Sequence, residues 1–255
     1  MNGSTAPAAL ALALLLAACS SPSEEGTDQH LGAEDTATFR VAFLLLDGVY
    51  NTELTAPFDV LHHAQGHAER PFEVYTVGRD LDPVRSYEGL RIQPDWTLDD
   101  APWPTVVVVP SGAHSMDDDA EDARVLDWLR EAFRRADWTV SVCDGAFLLA
   151  AAGILEDRTC TTYLGDADEL QRRNPGLDVR QGRGGEGLEE CAAPLFVVDG
   201  TTITGQGGAR SFEPAMWLIE RLFGAECATA VATGMVLDWP LPPGSYLVVE
   251  ESARE

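Results

Sequence analysis

The run TVSVCDGAFLLAAAG at residues 139–153 constrains this chain more than any other stretch. Thr139, Val140 and Val142 form a β-branched run suited to a buried strand, and residues 146–152 are an apolar, helix-forming run. Cys143 stands between them. A strand that reverses directly into a helix crowds the residues two before and two after the turn, and here Ser141 and Gly145 are both small. This is the nucleophile-elbow pattern, with cysteine in the place of serine. Such a turn lifts the side chain clear of the sheet and aims it at the first free N–H groups of the helix. Those groups favour a thiolate, so the pattern predicts a pKa below the free value of about 8.5. A small buried cysteine packed as a hydrophobe is the plainer alternative.

Around the elbow, strand and helix patterns alternate. VAFLLL at residues 41–46, FEVYTV at 72–77 and TVVVVP at 105–110 are continuous apolar runs, as expected of parallel strands buried on both faces. Leu54, Phe58 and Leu61 fall at helical spacing, with Pro57 read as tolerated near that helix's start. Residues 84–94 read as a hairpin or crossover. Residues 121–136 form an amphipathic helix with Val125, Leu126, Leu129 and Phe133 on one face. Residues 158–163 predict a strand and 166–173 a short helix. LFVVDGTTITG signals a hairpin turning at Asp199-Gly200, and residues 212–223 and 226–237 predict two late helices. The alternation implies a mostly parallel sheet with helices on both faces, whose ligands collect beyond the carboxyl ends of the strands. Ser111, Gly112, Ala113 and His114 follow the third strand directly, in such a loop.

The chain of 255 residues carries a formal charge of -25, and its 17 basic residues are all Arg. So acidic a surface repels phosphate backbones and disfavours a nucleic-acid partner. It also suits life at high salt, where screening relieves self-repulsion; unfolding on transfer to low salt is the expected sign.

Residues 8–18 form an apolar run too short to span a bilayer, ending in Leu16-Ala17-Ala18-Cys19. The pattern resembles a bacterial lipobox, although no Lys or Arg precedes the run. On that resemblance residues 1–18 are a lipoprotein signal peptide and Cys19 carries the lipid. The protein is then anchored to the periplasmic face of a bacterial membrane, with a soluble secreted form as the alternative. Residues 19–38 read as a disordered acidic tether, 39–240 as the folded domain and 241–255 as an acidic tail.

Further stretches carry a family likeness. Residues 41–47 followed by NTELTAP at 51–57, VPSG at 109–112, SVCDGAFLLAAAGIL at 141–155, Thr161-Thr162, TGQGGARSFE at 204–213 and GMVLDW at 234–239 resemble the ThiJ/PfpI superfamily. Within it the isonitrile hydratase branch is most similar. The resemblance implies a class I glutamine amidotransferase-like, flavodoxin-like three-layer α/β sandwich. It also implies Cys143 as the reactive residue, with Glu53 reaching its sulfur as a protonated carboxyl. Glu213 matches a further acidic position, and the N–H groups of Gly112 and Asp144 form an oxyanion pocket. Asp144 stands where these hydratases often have Thr, and Tyr163 follows Thr161-Thr162 where many relatives have His. A carboxylate beside the sulfur raises its pKa unless it is protonated or turned away.

The reading that follows is a cysteine-dependent hydro-lyase acting on a small electrophile, an isonitrile or a reactive carbonyl, rather than an amidotransferase or protease. Cys143, Glu53 and Asp144 are its catalytic group, and Gly112, Glu213 and His114 its binding group. No cofactor and no metal are implied, and a homodimer is. The alternative is a non-catalytic binding or redox-sensing lipoprotein that uses the same thiol. His114 could replace the missing base or be a solvated loop residue. His63 and His67 have metal-ligand spacing without a recognisable third ligand, and residues 117–119 read as a helix cap and solvated surface. Of the other cysteines, Cys160 and Cys191 are the favoured pair if Cys160, Cys191 and Cys227 are not all free.

Overall fold

The apolar runs become the central strands. In this computed structural model the described residues are 38–68, 70–181 and 193–250. The signal and lipidation readings at 1–18 and Cys19, nearly all of the tether, Cys191 and residues 251–255 lie outside them.

Among the described residues twelve strands form: β1 (Phe39–Leu44), β2 (Phe72–Gly78), β3 (Val84–Arg85), β4 (Arg91–Ile92), β5 (Trp96–Thr97), β6 (Val106–Val109), β7 (Trp138–Val142), β8 (Thr159–Cys160), β9 (Asp178–Val179), β10 (Phe196–Asp199), β11 (Thr202–Gly205) and β12 (Leu247–Val249). The main sheet has the order β12-β10-β11-β7-β6-β1-β2-β5 and is parallel except for the β10–β11 hairpin. β3 pairs with β4 as a hairpin, and β8 with β9. Helices α1 (Asn51–Ala64) and α6 (Phe212–Met235) cover one face; α3 (Ala123–Arg135), α4 (Gly145–Ala151) and α5 (Ala167–Arg173) cover the other, with the short α2 (Asp118–Glu121) beside α4. The expected flavodoxin-like, three-layer α/β architecture is therefore present.

Both faces of the central strands are buried, which is why those strands show no polar alternation. Phe39, Val41, Phe43, Val106 and Val108 pack under α1 and α6. Ala42, Leu44, Val107 and Val109 point to the opposite core, with Leu129 and Leu149. Each fully buried Val or Leu contributes about 1.5–3 kcal/mol, so the two-sided strands anchor both layers at once.

Several expectations change. The helix predicted at 121–136 is interrupted at Asp122, whose carboxylate accepts the N–H groups of Arg124 and Val125 and caps α3. The strand predicted at 158–163 shrinks to Thr159–Cys160, beyond which the Thr162 hydroxyl turns to the elbow and donates to Cys143 O. Pro57 lies well inside α1 rather than in its first turn. The two late helices form as expected, α6 running through both with a break at Gly224, whose φ of 85° is not helical. The first part of the predicted acidic tail joins the sheet, with Leu247–Val249 alongside β10. Asp119, expected at a solvated surface, is 3 % exposed and ion-paired at 2.7 Å to Arg79.

From β1 the chain moves to β2 on one side and later to β6 and β7 on the other, so the order reverses between β1 and β6. The loops after β1, β6 and β7 meet beyond the strand ends there. They are stitched together: Tyr50 N–H donates to Ser111 C=O at 3.0 Å, and Ala113 N–H to Gly48 C=O at 2.9 Å. The elbow opens into this crevice.

Candidate active site

Cys143 follows the last residue of β7 with φ 55°, a left-handed conformation that a non-glycine residue adopts at a cost of about 1–2 kcal/mol. Its N–H donates to Gly205 C=O at 2.8 Å, which holds the strained turn against β11. Gly145 starts α4, and a Cβ there would sit 2.1 Å from Val109 O. The small residue two past the cysteine is therefore demanded by β6, the neighbouring strand. Ser141, two before it, is fully buried and its hydroxyl has no hydrogen-bond partner.

The sulfur meets four groups. The Glu53 carboxyl, the Asp144 N–H and the Ser111 hydroxyl all face the Cys143 thiol, the last without a hydrogen bond of regular geometry. Gly207 closes the remaining side. A Cβ there would lie 2.4 Å from Cys143 Cβ and 2.7 Å from a Glu53 oxygen, so only glycine lets the loop pass.

Glu53 lies in the first turn of α1 and is 5 % exposed. Its carboxyl accepts the Gly208 N–H at 2.7 Å and faces Ser211 Oγ at 3.1 Å. Burial nonetheless pushes its pKa above the usual carboxylate range, against the lowering by these contacts. The thiol is also pushed up, first by burial and then by Glu53 and Asp144, with the Asp144 N–H and Ser111 opposing. The lowering expected from the elbow is thus reversed. Two acids in contact in a buried site do not both ionise, so Glu53 and Cys143 keep at least one proton between them. When that proton sits on Glu53, one of the charges that disfavour the thiolate is gone.

Asp144 is 9 % exposed, and its pKa is pushed up to about 7 by burial and by Asp166, against a lowering by the Thr162 hydroxyl. Thr162 Oγ stands 2.9 Å from Cys143 O and 3.1 Å from Asp144 Oδ1. At the mouth, Tyr50 packs on Tyr87 with ring centroids 4.9 Å apart. Its phenol is raised by burial, then by Tyr87, Cys143 and Asp144.

The other expected site residues are placed differently. The Gly112 N–H donates to Ser115 Oγ at 2.8 Å, so a substrate oxygen would have to displace that hydroxyl to use it. His114 is exposed, its ring lying against Gly48. Glu213 is held by Arg210 at 2.9 Å, while its second oxygen is buried without a partner. His63 Nδ1 lies 3.4 Å from Asp59 Oδ1, and no metal-binding group of His, Cys, Asp and Glu occurs among the described residues. Cys160 and Cys227 are buried free thiols. Sequence reasoning gave no role to Ser111, Thr162, Asp166, Gly207, Gly208 or Ser211. All but Asp166 lie within motifs that carried the family likeness, and nothing in the sequence marks Asp166.

A profile of the DJ-1/PfpI family matches residues 39–221. The chain belongs to that family. It is 33 % identical over 209 residues to an isonitrile hydratase of Pseudomonas putida, covering 80 % of each chain. It is 28 % identical over 203 residues to the Parkinson disease protein 7 homolog of Danio rerio, covering 78 % of this chain and 97 % of the relative. A crystal structure of a ThiJ/PfpI family protein from Pseudomonas syringae superposes with a TM-score of 0.67 at 24 % identity, covering 86 % of this chain and 85 % of that one. That likeness concerns the fold. The family, the sheet order and the elbow agree.

Proposed function

We propose that this DJ-1/PfpI protein is a cysteine-dependent hydratase that adds water to a small electrophilic carbon, with isonitriles as the preferred class and reactive carbonyls as the next. The observation that carries the reading is the buried carboxyl of Glu53 set against the elbow cysteine, both bordering the point where a Cβ on Gly207 would lie, 2.4 Å from Cys143 Cβ and 2.7 Å from a Glu53 oxygen. The 33 % identity to an isonitrile hydratase supports the substrate class.

For an isonitrile the steps balance without an oxidant. The thiol proton passes to Glu53 as sulfur attacks the terminal carbon, forming a C–S bond, and the carbon then takes up a proton. Water adds to the resulting thioimidate, the C–S bond breaks, and a proton returns to the site. The product is an N-substituted formamide. Asp144 N–H and Ser111 O–H, both beside the sulfur, steady the charge that develops there. Incubation with an alkyl isonitrile should yield the formamide, and Cys143→Ser should reduce the rate by at least ~10³-fold. Full turnover by that variant on every active substrate would exclude the reading.

Tyr163 in the place where many relatives have His, and Asp144 where hydratases often have Thr, favour a second reading, a binding or redox-sensing protein without turnover. Stoichiometric sulfenic or sulfinic acid on Cys143 after mild peroxide, with no turnover of isonitriles or dicarbonyls, would establish it. The apolar run ending at Cys19 supports a lipid anchor in the cell envelope in either case. Incorporation of labelled fatty acid that is lost in Cys19→Ala would test this. A homodimer belongs to the same proposal and is read by sedimentation.

A further inference from the structure

The β3–β4 hairpin leans on the loop that starts α1. Gly48 N–H donates to Arg85 C=O at 2.8 Å, Arg85 N–H to the Asp47 carboxylate at 2.8 Å and Tyr87 N–H to Val49 C=O at 2.9 Å. At the tip, the Glu88 carboxylate accepts the Asn51 N–H at 3.0 Å, in the first position of α1. Ser86 braces the turn from within: it is 2 % exposed, its N–H donates to Leu90 C=O at 2.8 Å and its hydroxyl accepts the Leu90 N–H at 2.9 Å. These bonds hold the Tyr87 ring against that of Tyr50, with centroids 4.9 Å apart and planes at 54°. Tyr50 is half-buried and Tyr87 is 65 % exposed. The pair therefore presents an aromatic face that is fixed in place and open on one side.

That face stands at the mouth of the crevice. Tyr50 is the N-cap of α1 and Glu53 its third residue, two positions brought together at a helix start. The Tyr50 N–H also donates to Ser111 C=O at 3.0 Å. Tyr50 is thus bracketed by Glu53 and Ser111, the residues set against the elbow sulfur. On the remaining side Gly207 closes the site, since a methyl there would meet both Cys143 Cβ and the Glu53 carboxyl. An isonitrile is straight from its terminal carbon through nitrogen to the first atom of its substituent. With the terminal carbon at the sulfur, the substituent leaves the crevice by the open side, along Tyr50 and Tyr87. The Glu88 carboxylate beside the pair disfavours an anionic substituent there.

We infer that Tyr50 and Tyr87 form the subsite for the substituent on the isonitrile nitrogen, and that the protein selects neutral substrates carrying an aromatic ring over those carrying a small alkyl group. This deepens the hydratase reading, on which it rests, by naming the substrate class within it. Aromatic rings prefer offset or edge-on contact with centroids about 4.5–7 Å apart, which the open face of Tyr87 offers to a ring arriving from solvent. The subsite touches the unreactive end of the substrate. Its contacts are the same before and during attack by sulfur, so they lower KM and leave kcat alone.

The test compares benzyl isonitrile with methyl isonitrile in the wild type, Tyr87→Ala and Tyr87→Phe. Tyr87→Ala should raise the KM for benzyl isonitrile ~10-fold while its kcat and the KM for methyl isonitrile stay as they are. Tyr87→Phe keeps the ring and should keep the wild-type KM. An equal loss on the two substrates, or no loss on benzyl isonitrile, overturns the subsite. A second measurement needs no turnover: proton NMR of the Tyr87 ring, assigned by its absence in Tyr87→Ala, during titration with N-benzylformamide or N-methylformamide, the two hydration products. The benzyl compound should shift the Tyr87 signals at concentrations where the methyl compound does not, and unmoved signals overturn the subsite. If the wild type turns over no isonitrile while those signals still move, the hydratase reading falls and the aromatic subsite stands without it.

Discussion

Two clusters of buried acids in this molecule meet the same physical problem in opposite ways. Beside α2 and α3, Asp119 and Asp122 are held by Arg79 at 2.7 and 2.6 Å. Burial works against Asp122, yet the Arg79 hydrogen bond, the α3 N–H groups and the guanidinium charge leave its pKa lowered. At the elbow, Glu53, Asp144 and Cys143 are pushed upward, and the groups that act most on them are other acids and neutral donors. One cluster is answered by a cation and the other by retained protons. The first makes a scaffold, because an ion pair buried with its hydrogen bonds is fixed across physiological pH. The second keeps its protons around the elbow sulfur, an arrangement that suits acid–base chemistry.

Breaking the cation-neutralised cluster should have the largest effect. Arg79→Met leaves Asp119 buried without its partner and should destabilise the protein by about 3 kcal/mol near neutral pH, read by urea unfolding. A cost that stays constant down to pH 3 would show that the charge is not the cause.

Asp144→Asn sharpens the contrast with the opposite sign. A carboxyl raised from 3.8 to about 7 on folding is fully tolerated below 3.8, and its favourable share is lost as pH rises through about 7. The variant should therefore match the wild type near pH 4 and exceed it by about 2–3 kcal/mol near pH 8.5, the roughly 4 kcal/mol of the raised pKa less the Thr162 contact that an amide holds less well. Thermal unfolding at the two pH values checks this, and a lower stability of the variant at pH 8.5 would refute it.

Gly207→Ala tests how closely the elbow is packed. The new methyl would meet Cys143 Cβ at 2.4 Å in a backbone at φ 86°, so a loss of about 2 kcal/mol is expected. A slower alkylation of Cys143 should accompany it. The smallest change is Ser211→Ala, about 1 kcal/mol for the lost contacts with Gly208 and Glu53. It should raise the Glu53 pKa further, which an upward shift in the pH profile of Cys143 alkylation would report.

The elbow was legible because two constraints coincide in a few residues. The strand-to-helix reversal demands small neighbours, and Gly145 has a backbone oxygen of β6 where its Cβ would be. The layers were legible because strands buried on both faces leave continuous apolar runs. The short pieces were not. β5 and β12 join the sheet through two or three residues each, and their pairing depends on an edge that only the folded sheet supplies. Asp122 inside a strong amphipathic pattern reads as a helix face until its carboxylate is seen capping α3. Gly112 read as a free oxyanion donor because sequence does not reveal that Ser115 turns back to occupy its N–H.

By itself the sequence determined the family, the alternating α/β order, the elbow cysteine and an upstream acid to partner it. The order and the elbow follow from local sterics and hydrophobic period, which short stretches of chain carry whole, while the family and the acid come from the likeness of its motifs. Only the tertiary structure decided the protonation chemistry. Whether a carboxyl beside sulfur is ionised depends on burial and on neighbours remote in the chain: Gly208 and Ser211 for Glu53, Asp166 and Thr162 for Asp144. Electrostatic energy follows distance and solvent exclusion, and neither is written in the order of residues.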